Sequence, residues 1–449
     1  MSYASAIDEL NRMTPELHTQ PGQPRRKFSL DEIRILLEAL GNPHRRFRSV
    51  LIAGTNGKGS TAATLSSILR QSGLRTGLYT SPHLERPNER IRVCSEKAGS
   101  AEIEDETFAS RYFTVHDTAQ QLVLEGKLAH LPSFFEILTA MALLHFAEEA
   151  IEIAVLEVGM GGRLDATNIV DPLLSIITDI SLDHTEWLGS TIAAIAREKA
   201  GILRHNGTLV TLPQHPEANQ ALGEVAVELN VRGVNAALYM PTLNAGETYP
   251  VEVLGSEIEV ASPLHGPHQQ RNIALAIAAA VELATTYKLP ITPTSIAAGI
   301  RGTRWPGRFE SIHAQNMDWI LDVAHNPAGA WALRASLHTI EPAPRVLIFS
   351  CLNDKPLAEL AQILFPLFEQ IIFAPIASPR ATPLEELLAA AAQTGTQAIA
   401  TQTVAEALSI AQRKAQLAPR VVVSGSVYLV GEARHLLLSD MGLKKEDGE

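Results

Sequence analysis

A glycine-rich segment with a single lysine lies between an apolar run and a helical pattern, and it reads Ile52-Ala53-Gly54-Thr55-Asn56-Gly57-Lys58-Gly59-Ser60. Glycines let backbone N–H groups close around phosphate oxygens, and Lys58 adds a positive charge for the terminal phosphates. The Ser60 hydroxyl could reach a magnesium ion on those phosphates. The segment departs from the common pattern, because Ile52 replaces a glycine and Gly59 separates the lysine from the serine. The alternative is a glycine-rich turn that caps a helix.

Three polar residues come at or after the ends of apolar, strand-like segments: Ser81, Glu157 and His184. Glu157 stands near the end of the largely apolar run Ile151–Val158, which is typical of a central parallel strand. Magnesium prefers hard oxygen ligands, so the Glu157 carboxylate and the hydroxyls of Ser60 and Ser81 are candidate metal ligands. Taken alone, Glu157 could equally be a solvated charge, and His184 a hydrogen-bonded structural histidine.

Lys199 lies in the segment Arg197-Glu198-Lys199-Ala200-Gly201. A plain lysine would be repelled by a nearby metal ion, whereas a carbamylated lysine is an anion with two oxygen ligands. The sequence does not reveal that modification. The alternative is a surface lysine that pairs with Glu198 or Glu149.

Strands that alternate with helices predict an α/β fold in which ligands bind beyond the carboxyl ends of the strands. One helix is expected to begin with a capping box made by Ser29 and Glu32. The predicted N-terminal strands are 49–53, 75–80, 151–158 and 173–178, and the predicted helices are 29–41, 59–72, 105–129, 133–149, 190–200, 271–287 and 294–301.

The run Arg301–Arg308 interrupts this pattern and predicts a domain boundary. The sequence therefore predicts a phosphate-loop, doubly wound N-terminal domain, residues 1–303, and a smaller Rossmann-like α/β C-terminal domain, residues 304–449. The predicted strands of the second domain are 319–323, 345–349, 370–373 and 420–423.

Composition excludes several classes of protein. The 449 residues are 46% hydrophobic and 19% charged, which favours folded domains over a disordered chain. A net charge of −12 argues against general nucleic-acid binding, and no apolar run approaches the ~20 residues of a membrane span. Cys94 and Cys351 cannot form a disulfide framework, and the N-terminus does not have the pattern of a signal peptide. A cytoplasmic protein is expected.

Seven separated segments carry distinctive motifs: the loop at 54–60, Ser81-Pro82-His83-Leu84, Glu157 through Asn168, Leu182-Asp183-His184-Thr185, Glu198-Lys199-Ala200-Gly201-Ile202, Pro306-Gly307-Arg308-Phe309-Glu310 and Asp322-Val323-Ala324-His325-Asn326-Pro327. Together they resemble the motifs of the folylpolyglutamate synthase/dihydrofolate synthase branch of the Mur-ligase superfamily, and the resemblance covers nearly the whole chain. The glycine directly after Lys58 is typical of that branch.

The resemblance implies an ATP-dependent amide ligase, usually monomeric. ATP would phosphorylate the carboxylate of dihydropteroate or of a reduced folate, and L-glutamate would attack the acyl phosphate. Two magnesium ions and Lys58 would neutralise the charge of the triphosphate. The first ion would use Ser60, Ser81 and Glu157. The second would use Glu157, His184 and carbamylated Lys199.

The resemblance also assigns nucleotide contacts to the loop, namely Asn56, Gly57, Lys58, Gly59 and Ser60, and to Asn272, Arg308 and Asp322. Because the last two belong to the linker and the second domain, the site would be complete only when the domains close, which would exclude water until then. Alone, Arg308 could be a solvated linker residue. The resemblance implies that Lys58, Lys199 and His184 are catalytic residues. His325 could join them by helping to place the acyl phosphate or glutamate.

The pterin-bearing substrate would contact Ser133-Phe134-Phe135-Glu136 and Leu164-Asp165-Ala166. The first stretch also fits a helix start, with Ser133 as N-cap and Glu136 as its capping-box partner, and both interpretations can hold. Lys355 and the segment Ser424-Gly425-Ser426 are candidates for binding the carboxylates of glutamate. The loop before Lys355 departs from the family, which usually has a glycine near its start and an aspartate after the lysine, where this chain has Cys351 and Pro356.

Three alternatives stay open. The enzyme could extend folates without acting on dihydropteroate. A Mur-type peptide ligase would use the same chemistry, but such enzymes usually carry an additional N-terminal domain, and only about fifty residues precede the loop. A nucleotide-switched binding module would not require two metal ions on a triphosphate, and it would hydrolyse ATP without dependence on glutamate.

Overall fold

The computed structural model describes residues 2–13, 29–95, 99–242, 246, 248–414 and 420–440. The chain forms two compact units. The first contains Met1–Ser81, Pro87–Ala261 and Arg271–Gly302, and the second contains Pro82–Arg86, Ser262–Gln270 and Thr303–Glu449. The predicted domains, 1–303 and 304–449, stay a prediction; the units differ from them because two short segments of the N-terminal part group with the second unit.

The first unit is built on an eight-stranded sheet. Its strands are β1 (Arg48–Ala53), β2 (Thr76–Tyr79), β3 (Ile91–Ser95), β4 (Gly99–Glu102), β5 (Ile153–Glu157), β6 (Leu174–Ile177), β7 (Thr208–Thr211) and β8 (Arg232–Asn235). Their order is β4-β3-β2-β5-β1-β6-β7-β8. In this order the six neighbouring strands β2, β5, β1, β6, β7 and β8 are parallel to one another. β3 pairs with β2, and β4 with β3, in antiparallel fashion.

The apolar runs of the sequence become the centre of this sheet. β5 is buried throughout, as is β1 after its first residue, because helices cover both faces of a parallel sheet. In the pairing of β1 with β5, Ile52 lies opposite Glu157. The residues after β1 and the last residue of β5 therefore come to the same edge, which is the edge predicted to bind ligands.

Helices surround the first sheet, and most lie where the sequence predicted them. They are α1 (Tyr3–Arg12), α2 (Asp31–Ala39), α3 (Lys58–Gln71), α4 (Asp105–Leu124), α5 (Phe134–Glu148), α6 (Thr185–Leu188), α7 (Ile192–Ala200), α8 (Pro216–Glu228), α9 (Pro267–Thr285) and α10 (Pro293–Arg301). A separate hairpin consists of β9 (Thr248–Val253) and β10 (Ser256–Ala261).

The capping box predicted from Ser29 and Glu32 is wrong. Helix α2 begins only at Asp31, and its N-cap residue Leu30 makes no side-chain capping bond. The Ser29 hydroxyl instead accepts a hydrogen bond of 3.1 Å from the Asp31 N–H, and Glu32 pairs with Nε2 of His130 at 3.3 Å. A contact with a residue distant in sequence has replaced the local bond that the spacing suggested.

The second unit has a six-stranded sheet of its own. Its strands are β11 (Glu310–Ala314), β12 (Met317–Asp322), β13 (Val346–Phe349), β14 (Gln370–Phe373), β15 (Gln397–Ala400) and β16 (Arg420–Ser424), in the order β11-β12-β16-β13-β14-β15. All neighbours are parallel except β11 and β12. Its helices are α11 (Pro327–Leu337), α12 (Leu357–Leu364), α13 (Leu384–Gln393), α14 (Val404–Lys414) and α15 (Val427–Asp440).

Alternate residues of the second sheet enter two cores, one on each face. Val421 and Val423 belong to the cluster around Trp319, and Val422 belongs to the cluster around Phe349. An α/β domain with both faces of its sheet covered is therefore present here too. Within the described part of the chain, no helix combines the length and the apolar character that crossing a bilayer would require.

The short segment Pro82–Arg86 is built into the second unit. Leu84 packs against the core cluster of Trp319, and its carbonyl oxygen passes so close to α15 that a Cβ on Gly431 would lie 2.1 Å from it. Glu85 accepts a hydrogen bond of 2.9 Å from Nη1 of Arg434 on the same helix. Gly431 is thus the residue type that this crossing requires.

Candidate active site

The glycine-rich loop joins β1 to α3 in the first unit, and two of its glycines are required by their surroundings. Gly57 has a φ of +89° and immediately precedes the helix, and a Cβ there would lie 2.1 Å from Oδ1 of Asn272. Gly54 has a φ of +151°, and a Cβ there would lie 1.8 Å from Oγ1 of Thr178. The loop is therefore tightly packed against Asn272 and Thr178, and the N-terminus of the 14-residue helix α3 follows it. That combination is a suitable site for an anion.

Two lysines converge on one carbonyl group of this loop. Nζ of Lys58 donates to the carbonyl oxygens of Gly54 and Thr55, at 3.1 Å each. Nζ of Lys199, which is 4% exposed, donates to the same Gly54 oxygen at 2.8 Å. Burial, together with the positive charge of Lys58, lowers the pKa of Lys199 to about 7. The interpretation of Lys199 as a surface residue is wrong, because its expected partners Glu198 and Glu149 pair with Arg163 and Arg75.

The predicted metal ligands Ser60, Ser81 and Glu157 lie at the carboxyl edge of the first sheet or just beyond it. Glu157 is only 4% exposed, so it is not a solvated charge, and its Oε2 accepts a hydrogen bond of 3.1 Å from the Ser81 N–H. Ser60 is 2% exposed, in the first turn of α3. The structure thus joins Glu157 directly to the second residue after β2.

His184 does not end a strand, contrary to the prediction. Strand β6 stops at Ile177, and His184 lies seven residues later as the N-cap of the short helix α6. Its φ of 50° is in the left-handed region, which is uncommon for a residue other than glycine and is found at functional sites. The His184 N–H donates to Oδ1 of Asp183 at 3.0 Å, and the Asp183 charge acts to raise the pKa of the buried Lys199.

The donor set suits magnesium. Among the described residues, no group of three His, Cys, Asp or Glu side chains is arranged to hold a metal ion. Magnesium does not need such a cage, because it usually takes one or two carboxylates and completes its shell with water and substrate phosphates. One buried carboxylate on Glu157 and the hydroxyls of Ser60 and Ser81, beside a phosphate loop, are ligands of that kind.

The predicted helix start at Ser133 is confirmed. The Ser133 hydroxyl accepts from the Glu136 N–H at 3.3 Å, and Oε2 of Glu136 accepts from the Ser133 N–H at 2.8 Å, which forms a capping box. The Phe135 ring packs against Gly159 and lies 5.9 Å from the ring of Tyr79. The Arg90 guanidinium lies 5.3 Å from the ring of Phe134. Both phenylalanines thus have packing roles, whatever contact they make with substrate.

A cavity of about 120 Å³ in the first unit brings part of the predicted pterin set together. Glu136 and the segment Leu164–Ala166 line it, whereas Ser133 lines a different cavity, next to α1 and α4. Both carboxylate oxygens of Asp165 accept bonds from its own loop, from the N–H groups of Met160 at 2.9 Å and Thr167 at 3.0 Å. Asp165 therefore fixes the shape of the cavity wall.

Asp322 organises the linker and the loop after β12 in the second unit. Its Oδ2 accepts from the Phe309 N–H and its Oδ1 from the Ala324 N–H, both at 2.9 Å. Burial raises the pKa of Asp322 to about 6, and the nearby charge of Arg308 opposes that shift. His325 follows, and because a carbonyl can only accept, its Nδ1 carries a proton that it donates to the Val323 oxygen at 2.9 Å.

Ser424 and Lys355 lie at the carboxyl ends of neighbouring strands in the second unit. Ser424 pairs in register with both Asp322 and Phe349. Its hydroxyl is buried, and within the described residues no hydrogen-bond partner for it is found. The Lys355 side chain is only 8% exposed, and its Nζ lies 3.9 Å from Oδ2 of Asp354. The unsatisfied Ser424 hydroxyl is a group that a carboxylate ligand would satisfy, and a lysine side chain with little exposure can pair with such a ligand.

Residues 52–280 match the family model described as "Mur ligase middle domain", and residues 307–427 match the one described as "Mur ligase, glutamate ligase domain". The sequence is 34% identical to a folylpolyglutamate synthase of Lacticaseibacillus casei, over 92% of this chain and 96% of that protein. The chain belongs to the folylpolyglutamate synthase branch of the Mur ligase family. That resemblance, first seen in seven motifs, is confirmed.

Two further matches, one to a sequence and one to a solved structure, come from Mycobacterium tuberculosis. A protein named dihydrofolate synthase/folylpolyglutamate synthase is 32% identical, over 96% of this chain and 93% of that one. A crystal structure of the folylpolyglutamate synthase complexed with ADP and AMPPCP superposes with a TM-score of 0.85 at 31% identity, over 97% of this chain and 98% of that one. The predicted fold class of both parts of the chain is confirmed by these matches.

Several residues at this Mur ligase site were not found from the sequence. Trp187 and Met160 line the same cavity as Glu136, and Asp179 and Arg271 form an ion pair beside the phosphate loop. Trp187 stands three residues after His184, so its position next to a motif was a signal, although a lone tryptophan is more often a core residue. Asp179 and Arg271 are 92 residues apart, and no local pattern connects them.

Proposed function

We propose that this protein is an ATP-dependent amide ligase that adds L-glutamate to dihydropteroate, giving dihydrofolate, and to reduced folates, giving polyglutamates. The observation that carries the proposal is the phosphate loop with two lysines on its Gly54 carbonyl and a buried Glu157 carboxylate at the same sheet edge. The match to the glutamate ligase domain model supports glutamate as the amine substrate. The paired activities in the name of the M. tuberculosis relative support both acceptors.

The phosphates of ATP would bind across the loop and the N-terminus of α3. The N–H groups of that helix end are not satisfied by the helix itself, so they favour an anion. In the structure the Lys58 ammonium lies on the loop carbonyls, and turning it toward a γ-phosphate would exchange neutral acceptors for charged ones. Asn272, whose side chain lies next to Gly57, would add a contact to ATP.

Magnesium would be held by Ser60, Ser81 and Glu157 at one position, and by Glu157, His184 and carbamylated Lys199 at a second. Bound there, it would offset the repulsion between a carboxylate and a triphosphate. The number of ions and these ligand sets are part of the proposal. Within the described residues the protein supplies few anionic ligands of its own, so substrate phosphates would complete each shell.

Carbamylation of Lys199 is consistent with the environment of that side chain. The reaction needs a neutral amine, which attacks the carbon of CO₂; a C–N bond forms and a proton passes to solvent. Because the pKa of Lys199 is lowered to about 7, a substantial fraction of the amine is neutral near neutral pH. The product carries a negative charge, which would relieve the repulsion from Lys58 at the Gly54 carbonyl.

In the amide-forming step, the amino nitrogen of glutamate would bond to the carbonyl carbon of the acyl phosphate. The C–O bond to phosphate would break, phosphate would leave, and the nitrogen would lose a proton. We assign the carboxylates of glutamate to Lys355 and Ser424, because these supply a charge with little exposure and an unsatisfied hydroxyl. His325 would act near the acyl group with Nδ1 tied to the Val323 carbonyl, which leaves Nε2 as the acceptor nitrogen of the neutral ring.

Folate extension without dihydropteroate glutamylation is the second candidate, because the L. casei relative is named folylpolyglutamate synthase only. The deciding experiment measures phosphate release with Mg-ATP and glutamate, comparing dihydropteroate, tetrahydrofolate and no acceptor, with products identified by mass. Release with both acceptors, each gaining one glutamate, is expected. Release with tetrahydrofolate alone would select the second candidate, and release that ignores every acceptor would refute the ligase. The monomeric state and cytoplasmic location expected from the sequence stay predictions.

A further inference from the structure

Asp179 makes two sets of hydrogen bonds, one through its backbone and one through its side chain. The backbone set holds the phosphate loop. Its backbone carbonyl oxygen accepts hydrogen bonds from the N–H groups of Thr55 at 2.9 Å and Asn56 at 3.2 Å. The neighbouring residue Ser181 continues the same support, because its N–H donates to Oγ1 of Thr55 at 3.1 Å. The segment after β6 therefore holds the first half of the loop through backbone geometry.

The other side of Asp179 holds the start of α9. Nε of Arg271 donates to the two carboxylate oxygens at 2.8 and 3.1 Å, and Nη2 donates to Oδ1 at 2.6 Å. Nη2 also donates to the Pro213 carbonyl at 3.0 Å. This fork-to-fork geometry fixes orientation as well as distance, and both side chains are partly buried, at 29% and 38% exposure. An exposed ion pair with a single contact would fix neither the orientation nor the distance of its two side chains.

Asn272, the residue after Arg271, returns to the same loop. It is 4% exposed, its side-chain oxygen lies where a Cβ on Gly57 would have to be, and its carbonyl accepts from Oγ1 of Thr61 at 3.4 Å. A path of direct contacts therefore runs from Thr55 and Asn56 through Asp179 and Arg271 to Asn272, and back to Gly57. The ion pair is the side-chain link of that path.

We propose that Asp179 and Arg271 are positioning residues for the nucleotide, which hold the phosphate loop and Asn272 in the arrangement that ATP needs. The proposal rests on the proposed function for the role of the loop. Neither side chain is required to touch ATP. Its physical content is preorganisation: with the pair intact, the loop N–H groups and Asn272 are already in place, so binding does not have to supply the free energy of ordering them.

The test compares Arg271→Gln with Arg232→Gln in the full-length protein. Arg232 pairs with Glu282 near the other end of α9, so the control also loses an ion pair on that helix without touching the loop. Dissociation constants for Mg-ATP and Mg-ADP are measured by calorimetry without acceptor or glutamate, and the melting temperature is measured without nucleotide. Arg271→Gln is expected to weaken nucleotide binding roughly tenfold, because binding would then have to order the loop and Asn272, at the cost typical of immobilising one or two side chains. Arg232→Gln is expected to leave nucleotide binding unchanged. Both variants are expected to lower the melting temperature by similar amounts, because each removes one ion pair of α9.

Two more variants distinguish positioning from general stability. Arg271→Lys keeps the charge but not the fork, so its dissociation constant is expected between those of wild type and Arg271→Gln. Asp179→Asn combined with Arg271→Gln is expected to bind nucleotide no more weakly than either single variant, because both remove one link. Additive losses, or a loss in Arg271→Gln no larger than in Arg232→Gln, would overturn the proposal. A wild-type protein that binds no nucleotide would instead refute the proposed function.

Discussion

Nζ of Lys199 donates a hydrogen bond of 2.8 Å to the carbonyl oxygen of Gly54, although the residues are 145 positions apart. The contact brings a buried amine of lowered pKa to the phosphate loop, next to the ammonium of Lys58. Two positive charges at one carbonyl are costly unless anions arrive or one charge is removed. The arrangement favours an anion at the loop, and it is consistent with the proposed carbamylation of Lys199.

Lys199→Ala and Lys199→Arg are both expected to lose ligase activity by roughly 10²-fold or more, the size seen when a group that stabilises developing charge is removed. Arginine keeps a positive charge but cannot form the carbamate. Added acetate or propionate is expected to restore part of the activity of Lys199→Ala, because a carboxylate can enter the space left by the side chain. The measurement is glutamate-dependent phosphate release across acid concentrations. An active Lys199→Arg enzyme would contradict carbamylation.

Ser424→Ala is expected to raise the KM for glutamate without lowering the melting temperature. Within the described residues the Ser424 hydroxyl has no hydrogen-bond partner, so the protein alone loses no bond when that hydroxyl is removed. Ser336→Ala is the matched control, because the buried Ser336 hydroxyl donates to the Ala332 carbonyl at 3.0 Å within α11, and its loss is expected to cost about 1 kcal/mol without changing the KM for glutamate. Steady-state kinetics and thermal unfolding check both. An unchanged KM in Ser424→Ala would remove Ser424 from the glutamate site.

Trp187→Ala is expected to raise the KM for dihydropteroate about tenfold, while the KM for glutamate stays the same. Trp187 lines the cavity that also contains Glu136, and a flat pterin ring would lose an apolar wall worth about 1–2 kcal/mol. Trp331→Ala, a change at a tryptophan that is 55% exposed on α11, is the control and is expected to leave this KM unchanged. Equal effects of the two variants would exclude the cavity as the pterin site.

His145 is expected to make the protein sensitive to acid. Burial in α5, with Arg111 and Arg75 nearby, lowers its pKa to about 4, although Glu149 opposes the shift. The unfolded chain, with a pKa near 6.5, binds the proton more tightly, so stability contributed by neutral His145 falls as pH drops from about 6.5 toward 4. His145→Gln is expected to reduce the loss of unfolding free energy between pH 6.5 and 4.5 by about 2 kcal/mol, measured by urea denaturation. An unchanged pH profile would contradict the buried neutral state.

The parts of the site that sequence could predict are those with local causes. The loop at 54–60 needs glycines for its backbone and follows an apolar strand, and Glu157 ends the next central strand, so residue type and order were enough. The helix start at Ser133 depends on a bond to a residue three positions away, which a spacing rule captures. The failed capping box at Ser29 shows the limit of such a rule, since Glu32 found a distant histidine instead.

The parts that could not be predicted depend on contacts between distant residues. Sequence alone made Lys199 a surface lysine or a metal ligand, and only the fold brings it under the Gly54 carbonyl. The ion pair of Asp179 with Arg271 joins a loop to a helix 92 positions away. Strands β3 and β4 were missed for a related reason: they are short and only partly buried, so no alternation or apolar run marks them.

The segment Pro82–Arg86 has a consequence for how this molecule can be divided or exchanged. The backbone of Leu84 lies directly against Gly431, and its side chain packs on the core around Trp319. A fragment that begins at Thr303 would therefore lack part of its own interior. The second unit is therefore not a cassette that one recombination event could transplant. A chimera that exchanged the second unit would also have to exchange the five residues after Ser81, so that Leu84 still matches Gly431 and the core around Trp319.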